Sequence, residues 1–234
     1  MKGMIVPAPK PLKIFSGGAM RPLLRDLAPL FAREHGVTAE FEFKLSAALK
    51  RTIQGGAAFD IAILPRPELD ELITSGEILR DSAADLARSI VGLAVRAGAP
   101  KPDISSVEAL RRALLRARSI GYSDGPSGAY VAALLVKLGI AEAAAEKVKL
   151  TSGPVAELVA RGDAELGMQQ IIAILPVAGA ELVGPLPAQL QNVIIYAAGI
   201  SSRALDLTAA RTFLALMRRE QAKQLMRANG LDPS

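Results

Sequence analysis

The sequence predicts an α/β fold. Strand-like and helix-like segments alternate along most of the chain, and a Ser-Gly-Gly turn joins the first strand to the first helix. A second run of the same alternation begins after a Gly- and Pro-rich stretch at residues 96–105. Leu12–Phe15 reads as a buried strand, and Ser16-Gly17-Gly18 turns the backbone at little steric cost. Leu23, Leu24, Leu27, Leu30 and Phe31 then recur at helical spacing, from Ala19 to about Glu34. Gly36 follows His35 as a left-handed helix stop, which makes His35 a last-turn cation that favours the helix dipole.

Val37–Lys44 alternates as a half-buried strand, and Ser46 reads as the N-cap of a helix over Ala47–Gln54. Ile61–Leu64 is a short buried strand, and Pro65-Arg66-Pro67 starts a helix that runs through Ile73. Three strand ends, near Ser16, Ser46 and Pro65, therefore fall on one edge. Ser89–Val95 is a further strand. In the second run, Ser106 caps a helix to about Ala117, Ser119–Tyr122 is a strand, and Asp124-Gly125-Pro126-Ser127-Gly128 is another polar strand-to-helix turn. Val148–Leu150 leads through Ser152 and Pro154 into a helix ending at Arg161, and Glu165–Gln169 is a strand ending at Gln169-Gln170. Asn192–Gly199 is the last strand, with closing helices over Leu205–Met217 and Gln221–Ala228.

Composition narrows the function. With 50% hydrophobic and 22% charged residues the 234-residue chain is globular rather than disordered. Aromatics make up 4% and Trp is absent, which leaves little to stack bases on. The net charge of +5 comes from scattered basic residues on helical faces, so no nucleic-acid partner is expected. There is no Cys, which excludes disulfides, thiolate metal sites and cysteine nucleophiles. A single His and no paired carboxylates on the strand-end loops give no general acid–base pair. The expectation is a protein that is not an enzyme, with no catalytic residues, no metal and no cofactor. Residues 1–11 carry three prolines and no apolar core of a signal peptide.

With the turns placed, the chain resembles the molybdate-type periplasmic solute-binding proteins of ABC importers over roughly residues 12–231. The resemblance is carried by Phe15-Ser16-Gly17-Gly18-Ala19-Met20, Phe31–Val37, Ser46 before Leu49, Ala58–Ile61, Pro126-Ser127-Gly128, Leu158–Gly162 and Leu166-Gly167. It implies two α/β lobes joined by two crossover strands, near Ser89–Val95 and Asn192–Gly199, with a ligand cleft between them. Residues 12–92 and 196–234 would form one lobe and 93–195 the other. It also implies a small anion held by neutral donors and helix starts, a permease as partner, a monomer and a periplasmic location, with a cytoplasmic ligand-sensing module as the alternative.

Carried over position by position, the resemblance places the ligand at Ser16, Gly17, Gly18, Ala19, Ser46, Ser127, Ser152 and Gln170. The family's first hydroxyl falls at Ala19, and its tyrosine at Gln170. Both changes alter the donor pattern; a molybdate- or tungstate-like oxyanion is the ligand expected, with a small organic anion as the alternative. Arg21, Lys44 and Arg66, on the same strand-end edge, would favour a carboxylate if they reach it, and Gln169 is a further neighbour.

Overall fold

The computed structural model describes residues 10–124 and 126–234, and these divide into two compact units. The first holds the chain up to Ala87, Ile195–Ala228 and Asp232–Ser234, and the second holds Arg88–Ile194 and Asn229–Leu231.

The first unit is built on β1 (Leu12–Gly17), β2 (Ala39–Lys44), β3 (Ile61–Pro65), β4 (Ala84–Ser89), β10 (Ile194–Ile200) and β11 (Leu231–Pro233), in the order β11-β4-β10-β3-β1-β2. β1 runs parallel to both β2 and β3, so their carboxyl ends share one edge, whereas β10 is antiparallel to β3. The four residues Ile61–Leu64 are fully buried, as an apolar run inside a sheet requires. Helices α1 (Arg21–His35), α2 (Ser46–Gln54), α3 (Arg66–Thr74), α9 (Leu207–Met217) and α10 (Glu220–Ala228) complete the unit. Leu23, Leu24, Leu27, Leu30 and Phe31 form the buried stripe of α1, and Phe31 meets Phe213 of α9 edge to face at 5.0 Å between ring centroids. α1 ends at Gly36 with φ 68°, the left-handed stop expected from the sequence. Phe15 stacks on Phe59 (5.4 Å) in the apolar cluster that also takes Leu49, Ile53 and Leu69.

Asp60, nearly fully buried, ties this unit together. One carboxylate oxygen accepts from the Lys13 backbone N–H (2.8 Å), and the other accepts from Leu205 N–H (2.8 Å). A buried charge held by two backbone donors is a structural device, and its partners lie 47 and 145 residues away.

The second unit carries β5 (Val91–Arg96), β6 (Ile120–Ser123), β7 (Val148–Thr151), β8 (Leu166–Gln170) and β9 (Ala180–Pro185), in the order β7-β6-β8-β5-β9. β6 is parallel to β7 and β8, and β5 is antiparallel to β8 and β9. Its helices are α4 (Val107–Arg116), α5 (Pro126–Lys137), α6 (Ala141–Ala144), α7 (Val155–Arg161) and α8 (Ile171–Ile174). Ser106 caps α4 as expected, its hydroxyl accepting from Ala109 N–H at 3.1 Å. Leu93, Leu110, Leu114, Ile120, Leu134 and Met168 belong to the core.

The structure differs from the sequence reading in several places. Ser89–Val95 is not one strand: β4 ends at Ser89 and β5 starts at Val91, each in a different sheet. β4, β9 and β11 were not anticipated. Pro154 stands at the N-cap of α7 rather than inside it. Ser46 is the first residue of α2, not its cap; Leu45 takes that position in extended conformation, and its carbonyl accepts from Ala48 and Leu49 (2.9 Å each). An N-cap needs a non-helical residue whose side chain folds back, and Ser46 is already helical.

Candidate functional site

Both units offer polar groups at the carboxyl edge of their parallel strands, where open α/β sheets take ligands. In the first unit, β1 passes through Gly17 (φ −61°, ψ 145°) into a short 3-10 turn over Gly18–Met20, and α1 follows at once. Gly17 is buried, Gly18 exposed and Ala19 half-buried. Ser16 lies beneath the turn, fully covered, and its hydroxyl donates to the Gly17 carbonyl at 3.3 Å.

Ser46 comes close to this turn from the start of α2. A Cβ built on Gly17 would stand 3.5 Å from the Ser46 hydroxyl and 4.0 Å from the ring of Tyr196. Gly17, Ser46 and Tyr196 therefore converge, and since Ser46 does not cap its helix, its hydroxyl is not committed to the backbone of α2. Tyr196 belongs to β10, opposite Pro65 at the end of β3, which brings it to the same edge. Burial, aided by the Glu68 carboxylate, pushes its phenol up to about 12, so it is a neutral proton donor at neutral pH. Tyr196 was missed in the sequence. Its place follows from the antiparallel pairing of β10 with β3, for which residues near position 196 give no local sign.

The cations of this edge are engaged by other groups. Arg66 is held between Asp70 (2.8 Å) and Asp85 (2.9 Å), and these two hydrogen bonds raise its pKa. Lys44 pairs with Glu42 at 2.5 Å, and the Arg21 guanidinium lies 4.3 Å over the Phe43 ring. What the first unit presents is mostly neutral: amides of the turn, a hydroxyl and a phenol.

In the second unit the Ser127 hydroxyl, in the first turn of α5, lies 2.8 Å from that of Ser123 at the end of β6. Gly128 is obligatory there, since a Cβ would overlap the Ser123 carbonyl. Ser152 is exposed in the bend before α7, beside Gly153, whose N–H donates to the Thr151 hydroxyl (3.0 Å). Residue 125, part of the predicted turn, lies outside the described residues. Gln169 and Gln170 point to opposite sides of β8, as neighbours on a strand must. Gln169 accepts from Ala156 N–H of α7 at 3.2 Å and is occupied in packing. Gln170, 94% buried, accepts from the Ser89 hydroxyl at 2.5 Å through Oε1, while its buried Nε2 has no partner among the described residues. Leaving such a donor unmet costs about 1–3 kcal/mol. It is the buried side-chain donor best suited to a bound acceptor.

The family of bacterial extracellular solute-binding proteins matches residues 12–232, and the chain belongs to it. It is 31% identical over 229 residues to an aconitate isomerase from Pseudomonas sp., an alignment that covers 95% of this chain and 87% of that one. Among solved structures, it superposes on a substrate-binding domain assigned to a molybdenum ABC transporter of Clostridium difficile with a TM-score of 0.81. Identity there is 16%, and 97% of this chain and 100% of that one are covered. The periplasmic molybdate-binding protein of Azotobacter vinelandii gives 0.70 at 20% identity, over 94% and 98% of the two chains. The resemblance to molybdate-type binding proteins thus holds for the fold, the two-unit α/β architecture of periplasmic binding proteins.

The expectation that the protein is not an enzyme is corrected by its Pseudomonas relative, which bears an enzyme's name. The lack of Cys, of a placed His and of paired carboxylates does not exclude catalysis, because other side chains also donate and accept protons. Among the described residues, no helix is long and apolar enough to cross a membrane.

Proposed function

We propose that this protein captures a small organic polycarboxylate of the aconitate type and interconverts its isomers, rather than holding an inorganic oxyanion. The observation that carries the reading is the 31% identity to an aconitate isomerase along 95% of the chain. The proposed contacts are Gly17, Gly18, Ala19, Ser46 and Tyr196 in the first unit and Ser127, Ser152 and Gln170 in the second, with Ser16 shaping the first turn from below. Neutral donors suit a dispersed carboxylate charge, because hydrogen bonds to an ionised acceptor are about twice as strong as neutral ones. Interconverting the geometric isomers of aconitate by an allylic shift moves one proton from the methylene carbon to the former vinyl carbon while the double bond migrates. The neutral phenol of Tyr196, beside Gly17 and Ser46, fits a hydrogen-bond donor to a carboxylate of the bound anion while that proton moves from one carbon to the other. Delivery of the ligand to a membrane permease of an ABC importer, from a periplasmic location, is the proposed setting.

Two measurements test this. Calorimetry with trans-aconitate, cis-aconitate, sulfate and molybdate is expected to give binding for the aconitates and none for the oxyanions. Proton NMR of cis-aconitate incubated with the protein is expected to show the trans isomer growing in, and more slowly with Tyr196→Phe. Tight molybdate binding with no aconitate heat would overturn the proposal.

A further inference from the structure

The second unit contains two glutamine amides beside the strand that leads into it, and they are treated differently. Gln191 is saturated: its Oε1 accepts from Val91 N–H (3.0 Å), and its Nε2 donates to the carbonyls of Val91 and Leu186 (2.9 Å each). Gln170 faces Val91 in the pairing of β5 with β8, so both amides serve the same short segment. Gln170, however, has a partner only on its oxygen, the Ser89 hydroxyl, and its Nε2 is buried and unmet.

Ser89 is itself fully buried, and the backbone beside it is fixed: Ile171 N–H donates to the Ile90 carbonyl at 2.9 Å, one residue beyond Gln170 and Ser89 respectively. The Ser89 hydroxyl donates to Oε1 at 2.5 Å, which leaves the Nε2 end of the amide turned away from it. When Ser89 donates to Oε1, both N–H bonds of the buried Nε2 are left for an acceptor that reaches this amide. In the opposite setting the carbonyl would be offered instead, and an acceptor lone pair facing a carboxylate is repulsive. We propose that Ser89 is a positioning residue for ligand capture: its hydroxyl locks the Gln170 amide in the one orientation that presents donors to an anion. Ser89 does this without touching the ligand. The inference rests on Gln170 being a ligand contact, as proposed above.

The test uses the full-length protein and trans-aconitate as probe. Ser89→Ala is expected to weaken binding about tenfold, the factor that matches loss of one well-placed hydrogen bond. Ser89→Thr, which keeps the hydroxyl, is expected to restore affinity. In a Gln170→Met background, already weakened, Ser89→Ala is expected to add nothing. A purely structural role would give the same loss in both backgrounds, and that result would overturn the proposal, as would a Ser89→Ala protein that binds like wild type. Should the wild type bind none of the aconitates, the ligand reading fails by itself. The Ser89 assignment is then decided by NMR of the Gln170 side-chain amide in the free protein, where Ser89→Ala is expected to shift both NH2 protons and an unchanged pair would overturn it.

Discussion

Tyr196 shows how a single side chain gains its properties from its surroundings. Its phenol is pushed up to about 12 chiefly by burial and secondarily by the Glu68 carboxylate, since both penalise the charged phenolate. In the unfolded chain a phenol ionises near 10. Above that pH the unfolded chain releases a proton that the folded protein retains, so stability falls as pH rises from about 10 to about 12. Chemical denaturation followed across that window is expected to show this loss in the wild type and a smaller one in Tyr196→Phe. An ultraviolet titration is also expected to show a tyrosine step near pH 12 that is absent from Tyr196→Phe. Residues of this sort are the hardest to read in a sequence. Ser46 and Gln170 could be picked out because each sits at the end of a recognisable strand. Tyr196 and Ser89 acquire their neighbours only when distant strands pair, Tyr196 with the end of β3 and Ser89 with a residue 81 positions on.

At the level of elements, the turn after β1 is the part on which the proposed binding site bears most directly. The built Cβ of Gly17 meets the Ser46 hydroxyl at 3.5 Å and the Tyr196 ring at 4.0 Å, which are ordinary contact distances. Gly17 also has an extended backbone that any residue can adopt. Gly17→Ala is therefore expected to fold with a denaturation midpoint close to wild type and still to lose trans-aconitate affinity in calorimetry, because the methyl group stands between two of the proposed contacts. Gly199 gives the contrast. A Cβ there would lie 2.5 Å from Ile78, so the same change is one of core overpacking. Long periodic elements were legible: α1, α4 and the strands around Ile14 and Ile63 carry enough apolar repeats to declare themselves. β4, β9 and β11 did not. β4 reads Ala-Asp-Leu-Ala-Arg-Ser with two adjacent buried positions, β9 is half-buried along most of its length, and β11 has three residues. None shows a two-residue period, so the sheet partners rather than the local pattern make them strands.

Across the whole molecule, each unit has its own sheet and its own apolar core, so each can be judged as a folding body in its own right. A ligand that binds the native protein and not the unfolded chain stabilises it by mass action. Trans-aconitate at 100 times its dissociation constant is expected to raise the unfolding free energy by about 2.7 kcal/mol, read as a shift in the denaturant midpoint at unchanged slope. Sulfate at the same concentration is expected to leave the midpoint in place. The α/β class and the strand-end edge were legible because alternating elements and polar turns are local features. The ligand class was not, since it depends on which donors are left unpaired after the strands have assembled.

The position of β10 has a consequence for biosynthesis. This strand lies between β4 and β3, in the interior of the first sheet, yet it is translated after every strand of the second sheet. A nascent chain emerging from the ribosome can therefore close the sheet of the middle body while the earlier one is still split open, its central slot waiting for residues 194–200. Asp60 waits as well, holding one oxygen for an amide that arrives 145 residues later. The part begun first is the part completed last.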